Sequence, residues 1–70
     1  MLEMVTQAEM ERIFEVTDSL GIHRESVVVP LGARHPGRVR RMPNGKLEIV
    51  VESLDFEVWI AGLGAQLRAL

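Results

Sequence analysis

The sequence predicts one small α+β domain spanning residues 1–70, ordered α-β-β-β-α, with a three-stranded antiparallel meander packed against helices. Three observations predict it. A capping signature followed by apolar residues at helical spacing occupies the first third of the chain. The middle holds a β-branched run and two short extended segments joined by Pro43-Asn44-Gly45. A second apolar stripe at helical spacing closes the sequence.

The first helix is expected to begin at Thr6-Gln7-Ala8-Glu9, where the Thr6 hydroxyl accepts from the Glu9 amide and the Glu9 carboxylate reaches back. Val5 and Met10 stand at the staple positions around that cap, and Met10, Ile13, Phe14, Thr17 and Leu20 form one buried stripe. Leu20-Gly21-Ile22 supplies a glycine for a left-handed turn and an apolar residue after it, so the helix should stop near Leu20.

Ser26 to Leu31 contains Val27-Val28-Val29 and reads as the first strand, with Pro30 marking its end or a sheet edge. Glycine and proline punctuate residues 32–37 as a loop, and Arg38 to Met42 resumes an extended pattern. Met42-Pro43-Asn44-Gly45-Lys46 fits a type I turn with a bulge. If Met42 pairs with Lys46, Val39 lies opposite Ile49 and Arg41 opposite Leu47 on one face, with Arg40 opposite Glu48 on the other. Leu47, Ile49 and Val51 then face the core, and the Arg41 stem covers apolar surface near the hairpin tip.

The last helix should start after Ser53-Leu54-Asp55 and run to the end of the sequence. Phe56, Trp59, Ile60, Leu63, Leu67 and Leu70 form its stripe, and its remaining faces are scarcely polar, with no charge between Val58 and Leu67. A helix apolar all round is buried all round, and so short a chain has little to cover both sides. Gly62 and Gly64 suggest close approach of another backbone or a kink. The expectation is a homo-oligomer, a dimer or higher, with a seam through Phe56, Trp59, Ile60, Leu63, Gly64, Leu67 and Leu70.

Composition narrows the function classes. The absence of cysteine excludes a disulfide framework and thiolate metal sites. No apolar segment has the length of a membrane span, and Glu3 stands where a secretory leader needs basic residues, so a cytoplasmic protein without a membrane partner is expected. The net charge of −2 conceals a separation along the chain. Five bases and no acid fall in residues 34–46: Arg34, Arg38, Arg40, Arg41 and Lys46. Acidic flanks lie on both sides of this island.

No motif for catalysis, metal or a cofactor emerges. His23 and His35 match no metal spacing, Ser19, Ser26 and Ser53 lack a nucleophile elbow, and Gly62-x-Gly64 has Leu67 where a dinucleotide fingerprint needs its third glycine. A zincin would need His-Glu-x-x-His in the second helix, which is absent. The element order and length resemble double-stranded-RNA-binding domains, with His35-Pro36-Gly37 in the first inter-strand loop and a leucine-rich end to the last helix. Such domains hold phosphates with lysines at the start of that helix, where this chain has Asp55, Phe56 and Glu57, so it is not assigned to them. The sequence thus predicts a non-enzymatic homo-oligomeric interaction module with no cofactor. The alternative is a nucleic-acid-binding or antitoxin-like regulator using the basic loop and hairpin 34–46.

Overall fold

The computed structural model describes residues 4–32, 37–52 and 54–70. The elements are α1 (Gln7–Ser19), β1 (Val27–Val28), β2 (Arg38–Arg41), β3 (Leu47–Val50) and α2 (Phe56–Arg68), with a single 3₁₀ turn, Arg24–Ser26, leading into β1. The α+β class and the element order agree with the sequence.

Helix α1 starts and stops for local reasons. The Thr6 hydroxyl accepts from the Glu9 amide at 3.1 Å while the Glu9 carboxylate accepts from the Thr6 amide at 2.9 Å, satisfying two amides that the first turn leaves without helical partners. At the other end Gly21 adopts φ 75°, the Ile22 amide bonds to the Thr17 carbonyl and the Gly21 amide to that of Asp18, a Schellman closure. The expected stripe is shifted slightly. Ile13 and Thr17 are fully buried, Val16 and Leu20 pack against the core, and Phe14 instead lies beneath the Arg24 guanidinium.

The hairpin forms in the predicted register: Val39 pairs with Ile49, Arg40 with Glu48 and Arg41 with Leu47. Its turn is closed by the Gly45 amide on the Met42 carbonyl and by Asn44 Oδ1 accepting from the Lys46 amide, with Gly45 at φ 88° in the bulge.

The antiparallel meander is the expectation that the structure corrects. The strand order is β1-β3-β2, and β1 runs parallel to β3, pairing Val27 with Leu47 and Val28 with Glu48. The sheet is mixed because side-chain chemistry selects the middle strand. A meander would have put Arg38-Val39-Arg40-Arg41 between two neighbours, whereas β3 carries Leu47, Ile49 and Val50, all buried. Charged strands belong at edges and apolar ones inside. The long link from Val29 to Gly37 lets β1 reach the far side of β3, and β1 ends ahead of Pro30, which has no amide to donate.

Ile13, Leu47, Ile49, Val51, Trp59, Ile60, Leu63 and Leu67 form one apolar cluster, so both helices cover the same face of the sheet. Arg38, Arg40, Glu48 and Val50 alternate onto the opposite face, where Arg38 and Arg40 are exposed and Val50 is buried. Gly37 lies so close to Trp59 that a Cβ there would overlap the indole. The Trp59 Nε1 donor is buried with no partner among the described residues.

Candidate interaction surfaces

The α2 stripe is largely used within the chain. Trp59, Ile60, Leu63 and Leu67 are buried in the core, Phe56 is half-buried and tilted against Trp59 at 5.8 Å, and Leu70 is half exposed beyond the helix. A Cβ at Gly64 would lie 3.3 Å from the Arg68 guanidinium and in ordinary contact with Val16 of α1 at 3.8 Å, and one at Gly62 would meet open space, so neither glycine is required by a close backbone approach within the chain. What α2 turns outward is a different face. Val58 is 71% exposed, Leu54 just ahead of the helix is 94% exposed, and Ala61 and Ala65 continue the same line at spacings of three and four. This second face has the sequence signal already noted, the charge-free run from Val58 to Leu67, but only the fold separates its inner from its outer residues.

The helices are tied together at one end by Arg12 and Glu57, whose two bonds are 3.0 and 3.1 Å long. Arg12 also sits 5.8 Å over the Phe56 ring. Near the other end of α1, Arg24 grips Asp18 at 2.9 Å and stacks 4.8 Å over Phe14. The Arg24 hydrogen bond lowers the Asp18 pKa, and the Arg12 hydrogen bond lowers that of Glu57. Both pairs are exposed and structural in character. An open depression of about 400 Å³ borders the second pair, lined by Asp18, Gly21, Ile22, His23 and Arg24. Among the described residues no three of His, Asp and Glu gather in a metal-binding arrangement. No helix among them is long and apolar enough to cross a membrane.

The basic island divides by strand geometry. Arg38 and Arg40 project from the face of the sheet away from the helices and Arg41 from the other, with Lys46 exposed beyond the turn. Arg40 bonds to Glu48 at 2.7 Å, the cross-strand pair that the register predicts. Arg38 and Arg41 have no ion pair among the described residues. Arg34 and His35, and the Ser53 cap, lie outside the described residues.

No protein-family model matches this sequence, and no curated protein or solved structure matches it significantly.

Proposed function

We propose that the chain is a small, non-enzymatic interaction module that associates with a second copy of itself through the outer face of α2. The observation that supports this is an exposed helical face carrying Leu54, Val58, Ala61 and Ala65, with no charged residue along α2 between Glu57 and Arg68. Solvent-facing helix surfaces ordinarily carry charge, and apolar faces that do not are interaction sites. The ends of the face favour a like partner in antiparallel orientation, since Asp55 at its start would then meet Arg68 of the second copy. Small residues at its centre permit close helix packing.

The face is short. Thirteen residues make a helix of roughly 20 Å, and one helix pair buries less than the roughly 800 Å² per partner of a standard interface. Association should therefore be weak and concentration-dependent. Light scattering should give a mass rising from 7.9 kDa towards twice that with concentration. Val58→Asp should remain folded and monomeric throughout, because Val58 contributes little to the core. A wild-type mass fixed at that of one chain at the highest attainable concentration would refute the reading. Leu63→Asp makes no useful test, since Leu63 is fully buried and its replacement would unfold the chain.

A further inference from the structure

The outer edge of β2 joins an unpaired backbone to a single sign of charge. β2 is bonded on one side to β3, and no backbone group of Arg38–Arg41 bonds elsewhere among the described residues. The Met42 amide donates to the Lys46 carbonyl at 2.7 Å, which sets the phase of the ladder. By antiparallel alternation Arg38 and Arg40 turn their backbone groups inward to β3, and Val39 and Arg41 point theirs outward.

Such an edge is a template for another strand, and its side chains decide which. A second β2 is excluded by charge. Every antiparallel register that uses three or more of its residues sets arginine opposite arginine or, at full overlap, Arg38 opposite Arg41 twice. An acidic strand meets the opposite situation: a carboxylate faces Arg38 on one side of the sheet, where Glu48 already holds Arg40, while an acid in the alternate phase reaches Arg41.

We propose that the β2 edge binds an extended acidic peptide segment of a partner protein by strand addition, with Val39 and Arg41 supplying the backbone bonds and Arg38 and Arg41 selecting for acid. This site is separate from the α2 face and does not depend on self-association. Nucleic acid fits less well. The arginines divide between two faces rather than tracking one backbone, and β2 and β3 hold no aromatic side chain for a base to stack on.

The test titrates the full chain with a short peptide of alternating Glu and Val, watched by amide resonances and hydrogen exchange. Binding is expected to slow exchange at the Val39 and Arg41 amides. Replacing Arg38 and Arg41 together by Glu, both at exposed positions, should weaken it by about tenfold or more. N-methylation of alternate peptide amides, in the phase that faces the edge, should abolish it while leaving the charge unchanged. The proposal fails if the peptide does not bind at low salt, if binding survives methylation in both phases, or if a Lys-Val peptide or single-stranded DNA binds as well as the acidic peptide.

Discussion

Two exposed carboxylates give this protein a pH dependence that can be traced to individual bonds. Asp18 is held by Arg24 and Glu57 by Arg12, and each carboxyl titrates below its ordinary value because its arginine bonds the ionised form. A carboxyl with a lowered folded pKa adds stability above its unfolded value, about 4, and loses that gain as the pH falls through the folded value. Urea midpoints should therefore drop on going from neutral pH to about pH 3, and the double variant Asp18→Asn, Glu57→Gln should lose less over the same interval. High salt should shrink the difference, since both pairs are solvent-exposed.

At the scale of elements, α1 and the hairpin are locally specified, and α2 is specified by packing. The reciprocal Thr6 and Glu9 bonds and the Gly21 closure fix both ends of α1 from adjacent residues. Thr6→Ala should then cost about 1 kcal/mol, read as a shift in the urea midpoint with unchanged slope. Helix α2 has no such cap: its N-cap residue, Asp55, makes no side-chain bond to the first turn. Its position depends on Trp59, Ile60, Leu63 and Leu67 in the core and on the Arg12 to Glu57 link across the helices. The outward Val58 line adds nothing to that docking.

For the molecule as a whole, one small apolar cluster among the described residues supports the fold. A chain of this size has a total stability of roughly 4–10 kcal/mol, while removing a buried leucine side chain costs about 2–5 kcal/mol. Leu63→Ala, at the fully buried centre of α2, should consequently remove a large share of that stability, read as a much lower urea midpoint for the near-ultraviolet dichroism of Trp59. Leu54→Ser should leave the midpoint intact, because Leu54 touches solvent rather than the core. Equal losses in the two variants would mean that the outward face stabilises the single chain as well.

The sequence by itself determined the elements whose signals are local: the α1 cap and stop, the Pro43-Asn44-Gly45 turn, the hairpin register, and with it the pairing of Arg40 and Glu48. Each follows from bonds or side-chain alternation between residues close in the chain. Strand order depended on tertiary structure, because the β1 residues carry no local mark of whether they will pair with β2 or pass to β3. The arginines of β2 against the aliphatics of β3 were the available clue, and it concerns burial rather than propensity. Tertiary packing also decided which apolar residues of α2 remain outside. Periodicity marks a stripe, but α1 and the sheet together took up Trp59, Ile60, Leu63 and Leu67 and left Val58, Ala61 and Ala65 to solvent.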